Sequence, residues 1–249
     1  MALDSLSFIS GSTGLLIVVV GYLLALYSFV LFLRSKSKQT LALAITLLCT
    51  SSVWLGVTVN FVLYMTTQSE TAYLTEMNYF ILISWPIGIL IPVTMFMTTS
   101  FIGESYQKLA VAITTIIGII WLIIALALVP LNYIDIHTLF LVEGGGNGTL
   151  PDSSFKGLTL ALTLLGLIII AISGGLFLIT GRSSQDRVAK LRGIYLGSGY
   201  LLFSFTSIGD ALSDVVASEY FIVAVRLLVV LSFILISVAI LKPKRIFEK

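Results

Sequence analysis

Seven runs of about twenty apolar residues, each set off from the next by a polar or charged connection, dominate this chain. A helix crossing a hydrocarbon core of about 30 Å needs around 20 such residues. That ruler places spans at 14–33, 41–65, 79–102, 109–129, 157–180, 191–212 and 220–241 of the 249 residues. Composition agrees, because only 10% of the residues are charged, where a soluble domain carries roughly 25%. The expectation is an all-α membrane protein, a single seven-transmembrane helix bundle over 1–249, with no soluble catalytic domain.

Charge orients the bundle. Arg34, Lys36 and Lys38 fill the first connection, Lys108 lies in the third, and Arg182, Arg187, Lys190 and Arg192 lie in the fifth. With Lys242, Lys244, Arg245 and Lys249 of the tail, these are twelve of the fourteen Lys and Arg. The other side holds Lys156, Arg226 and nine of the twelve Asp and Glu. Loops rich in Lys and Arg stay in the cytoplasm, so the N-terminus is expected outside, the C-terminus inside, and the cell membrane as the location. Residues Met1 to Gly14 carry Asp4 and no basic run, which argues against a cleaved leader. Juxtamembrane Lys and Arg are accounted for by topology, and no nucleic-acid partner is expected.

The fourth connection differs from the others. Apolar residues partly alternate from Tyr133 to Leu141, and Gly144-Gly-Gly-Asn-Gly148 follows. Alternation before a glycine-rich turn predicts a small extracellular β-hairpin between helices 4 and 5, over the bundle's outer mouth. Asn147 opens an Asn-Gly-Thr tripeptide and is a candidate glycosylation site.

Polar groups inside apolar spans are expensive, which makes them the first place to look for function. Arg226 lies six residues after Tyr220, about 9 Å deep. It must snorkel to the interface or find an anion. Asp210 and Asp214, four apart and on one helix face, are the expected partners. Asn60 lies in the second span with Trp54 and Tyr64 on nearby turns, and Tyr79 opens the third. That third span also contains Trp85-Pro86 and Pro92, and prolines within a helix remove donors and can kink it. Arg226, Asp210, Asp214, Asn60, Tyr79 and Trp85 are therefore the candidate ligand-binding or switch residues. Hydrogen bonding and aromatic packing between helices is the competing explanation for each. Gly193-Ile-Tyr-Leu-Gly197 has the spacing of a helix-packing face.

Several chemistries find no residues to carry them. Cys49 is the single cysteine and His137 the single histidine, so a metal centre is not expected. There is no Gly-rich phosphate loop with its lysine and no G-x-S-x-G nucleophile turn. Microbial rhodopsins share this topology, but the last span has no lysine to hold retinal. Neither an enzyme nor a cofactor is expected.

A pattern running through most of the chain resembles the seven-transmembrane N-terminal sensor region of prokaryotic histidine kinases and related signalling proteins. It comprises Trp54-Leu-Gly-Val-Thr-Val-Asn60, then Tyr79 and Phe80 with Pro86 and Pro92, and Phe101 before a short inside turn. The outside hairpin, Arg187-Val-Ala-Lys-Leu-Arg192 and the exit Leu241-Lys-Pro-Lys-Arg245-Ile-Phe complete it. The resemblance implies a sensor or receptor-like module passing a ligand or membrane signal through the last helix to a cytoplasmic or intramembrane protein partner. The chain stops at Lys249, where the family's output domain would begin. This implies the membrane portion of a longer protein or a stand-alone member acting through partners. The alternatives are a non-catalytic accessory subunit of a membrane complex and, behind it, a small transporter or channel.

Overall fold

The computed structural model describes residues 3–99, 104–145, 149–211 and 218–241. Asp4 caps the first helix, its carboxylate accepting from the Ser7 backbone N–H at 2.6 Å. Helix α1 then runs Ser5–Ser35, about 46 Å long. It begins well before the expected span because its polar first turns satisfy themselves: the Ser12 and Thr13 hydroxyls donate to the Ile9 carbonyl at 3.1 and 2.6 Å. Helices α2 (Lys38–Ser52), α3 (Leu55–Thr67) and α4 (Glu76–Thr99) follow. Helix α5 (Glu104–Ile123) ends in a π-helical turn, Ile124–Leu128. A two-stranded ribbon, β1 (Phe140–Glu143) and β2 (Asp152–Phe155), precedes α6 (Gly157–Ser183), α7 (Arg187–Ala211) and α8 (Glu219–Leu241).

Among the described residues, α1, α4, α5 with its π turn, α6 and α8 are long and apolar enough to cross a membrane. If α2 and α3 form one broken span, they make a sixth. The chain is thus an all-α, multi-pass membrane protein. One face of α5 shows the bilayer side directly: Leu109, Ile113, Ile116, Ile120 and Ile123 are each at least half exposed.

Helix α7 is long enough to span, but Gly, Ser and Tyr interrupt its apolar residues. Its neighbours explain the composition. A Cβ on Gly193 would lie 2.5 Å from the Gly181 Cα, and one on Gly197 2.6 Å from the Gly174 carbonyl oxygen. On its other side, a Cβ on Gly199 would meet Ile236 of α8 at 2.6 Å. The Gly193–Gly197 face therefore seats α7 on α6. A helix pressed between two others can do without a greasy surface.

The expected second span is broken: α2 and α3 meet at 57°. The Thr50, Ser51 and Ser52 hydroxyls donate to the Thr46, Leu47 and Leu48 carbonyls at 2.6–2.7 Å. Such back-bonding competes with the helical ladder and bends it. By contrast α4 runs unbroken through Pro86 and Pro92.

The ribbon is antiparallel, with Phe140 opposite Phe155 and Glu143 opposite Asp152. The residues expected to begin it do not: 133–139 form turns and a short 3-10 helix, Ile136–Thr138. Asp135 causes this, its carboxylate accepting from the His137 N–H at 3.0 Å and its carbonyl from the Thr138 hydroxyl at 2.7 Å. Gly144 and Gly145 turn the chain with φ of +84° and +88°, which glycine adopts without strain. Beyond the turn, the Leu150 N–H donates to Ser7 Oγ at 3.1 Å and fastens the ribbon's loop to α1.

Two apolar clusters fill the bundle. One, around Ile17, Leu43, Leu47, Val229 and Phe233, joins α1 and α2 to α6, α7 and α8. The other, around Phe80, Trp121 and Phe140, joins α4 and α5 to the ribbon.

Candidate functional site: a buried arginine between two cavities

Arginine is too long and too strongly charged to be absorbed by its own helix, as a serine is. Arg226, two turns into α8, is only 4% exposed. Its Nε donates to Asp210 Oδ1 of α7 at 2.8 Å. Its Nη1 donates to the Ser10 carbonyl, to Ser10 Oγ at 3.0 Å and to Thr13 Oγ1 at 3.2 Å, all on α1. The second Asp210 oxygen accepts from Trp54 Nε1, in the break between α2 and α3, at 2.9 Å. Four parts of the bundle therefore meet at one ion pair. Inserting an unpaired arginine at mid-bilayer costs about 2.5–3.5 kcal/mol, and the carboxylate offsets part of such a cost.

The cluster lies between two cavities. The larger, about 440 Å³, is in the size range of small-molecule sites. Its wall is mostly apolar, drawn largely from α4, α6 and α7, and its polar members include Trp54, Ser207, Asp210, Arg226 and Asp152 of β2. The smaller, about 260 Å³, lies beneath the ribbon, and its lining includes Asp4, Ser7, Ser10, Glu143 and Asp152. Arg226, Val57 and residues 152–154 of β2 belong to both walls.

The other candidates divide. Tyr79 is 2% exposed, lines the larger cavity and packs on Phe140 with ring centres 5.7 Å apart. Asn60 is fully buried but lies outside both walls. Its Oδ1 accepts from the Leu74 N–H at 2.8 Å and pins the connection between α3 and α4. In that connection Tyr73 stacks on Tyr64, and burial, followed by the Glu70 charge and Tyr64, raises its phenol above the usual range. Trp85 is half-buried and lines neither cavity. Asp214 and Asn147 lie outside the described residues.

Sequence reasoning passed over Trp54, Ser10, Thr13 and Ser207 as members of the site. The hydroxyl run Ser5, Ser7, Ser10, Ser12, Thr13 ahead of the first apolar stretch was the available signal for α1. Nothing local marks Trp54 as the partner of a residue 156 positions away. Compared with models of known protein families and with characterised proteins, the chain has no match, so the site is read from its own geometry.

Proposed function

We infer that this protein is a membrane-embedded sensor or receptor-like module with seven spans, its N-terminus and ribbon outside and its C-terminus in the cytoplasm. In this reading α2 with α3 is one bent span and α7 is the sixth. The charge asymmetry of the connections supports the orientation. The observation that carries the sensor role is the buried Arg226–Asp210 pair in the wall of a cavity. A ligand can shift a bundle only through unequal affinity for two of its states. A cavity-lining ion pair that also holds α8 to α1, α7 and the α2–α3 break is an element whose making and breaking would separate such states. Helix α8 leads to the basic tail, where a cytoplasmic partner would read the change.

Two measurements test the reading. Reagents that do not cross the membrane should label a cysteine placed at Gly145 in intact cells and spare one at Ser184. The reverse pattern would sink the orientation. Spin labels at Ser35 and Ser184, both at the end of the bundle away from the ribbon, should change their distance distribution when Asp210→Asn breaks the pair. An unchanged distribution would leave a static accessory subunit as the better description.

A further inference from the structure

We propose that the larger cavity takes an uncharged, single-tailed lipophilic molecule from the bilayer, whose carbonyl or hydroxyl head accepts hydrogen bonds from Arg226. This deepens the sensor reading by naming the class of its ligand, and it rests on that reading for its role in signalling.

The donor inventory of Arg226 carries the argument. A guanidinium has five N–H groups and no acceptor. Nε and Nη1 are engaged by Asp210, Ser10 and Thr13, while Nη2 meets no acceptor among the described residues. The Arg226 side chain is only 5% exposed and lines the cavity, and an open donor in such a place favours an acceptor more than it would in water. Ser207 Oγ, in the same wall, is buried without a partner among the described residues. The head must therefore be able to accept, and a hydroxyl could in addition donate.

Charge excludes ionic heads. Asp210 already neutralises Arg226, Asp152 borders both chambers, and Asp4 and Glu143 line the adjoining one. A second anion would be repelled by these carboxylates. A cationic ammonium head would face the guanidinium and offer its open donor no acceptor. Burying an anion there leaves a charge without compensation.

The wall also indicates the route. Leu160 and Leu164 near the start of α6, and Ile208 near the end of α7, line the cavity and are 44–45% exposed. These exposed apolar residues stand at the ribbon end of α6 and α7, and an apolar tail that enters there from lipid does not cross water.

The test uses the full chain in phosphatidylcholine nanodiscs and three twelve-carbon probes: monolaurin, dodecanesulfonate and dodecyltrimethylammonium. Tritiated monolaurin should bind saturably, one per chain, at least tenfold tighter than either charged probe competes. Ser207→Leu, which fills the cavity without touching the ion pair, should weaken monolaurin at least tenfold. Arg226→Lys should do the same, since it keeps a charge for Asp210 but lacks the second fork nitrogen. Absence of saturable monolaurin binding, tighter binding of either charged probe, or unchanged binding in Ser207→Leu would overturn the proposal. Binding to the isolated chain needs no signalling partner. If the spin-label distances stay fixed while monolaurin binds as described, only the sensor reading fails.

Discussion

The two ends of the bundle solve the problem of polar groups in apolar surroundings in opposite ways. Away from the ribbon, α6 and α7 meet through Gly174, Gly181, Gly193 and Gly197, with backbone against backbone and no room for a single Cβ. At the ribbon end the facing positions carry Arg226, Asp210, Trp54 and hydroxyls, and the helices stand apart around two cavities. Long charged side chains cannot interdigitate as closely as glycines, so electrostatic pairing is bought with space. The difference separates an end closed by glycine contacts from an end that holds two cavities.

The comparison can be broken most forcefully at the ion pair. Replacing Asp210 by Ala strands a buried guanidinium, and losing one partner of a buried pair typically costs about 3–5 kcal/mol. Thermal unfolding in mild detergent should register that loss. Arg226→Met combined with Asp210→Asn should destabilise less than the sum of the single changes. Strict additivity would mean that the pair does not couple the helices.

A smaller effect is expected at the closed end. Gly193→Leu forces α6 and α7 apart, and overpacking of this kind costs roughly 1–3 kcal/mol. Monolaurin binding should be retained in this variant, since the cavity is remote from it. If Gly193→Leu costs nothing, the close glycine contact between α6 and α7 is not what holds that end together.

The smallest change sharpens the view of the open end. Trp54→Phe removes one donor to Asp210 while keeping an aromatic ring, for a loss of about 1 kcal/mol by the usual worth of a hydrogen bond. The same unfolding measurement on Trp54→Phe with Asp210→Asn should show the two effects to be non-additive. Full independence would indicate that the indole packs at the break without serving the ion pair.

Much of the architecture was legible in the residues alone. Apolar runs of membrane length mark most of the spanning helices because lipid offers nothing to solvate a backbone or a charge, and the same rule singled out Arg226 with Asp210 or Asp214 as its partner, of which the structure pairs Asp210. Most hydroxyls within the spans, such as Ser28, Thr94 and Thr114, donate to carbonyls of their own helices. Arginine has no such local remedy. Two details ran against local pattern: the chain breaks just after Thr50–Ser52 rather than at Pro86 or Pro92, and residues 133–139 turn where alternation promised a strand.

Periodicity, charge and length are properties of neighbours along the chain, and they determined by themselves that this protein is helical, lives in a bilayer and carries a costly buried cation. Which helices surround that cation depends on residues far apart in sequence meeting face to face. Only the packed bundle could bring Ser10, Trp54, Asp210 and Arg226 together, leave Nη2 without an acceptor among the described residues and hold open the cavity that Arg226 lines. Side-chain volume and helix spacing set those features, and neither is written in any local stretch of the chain.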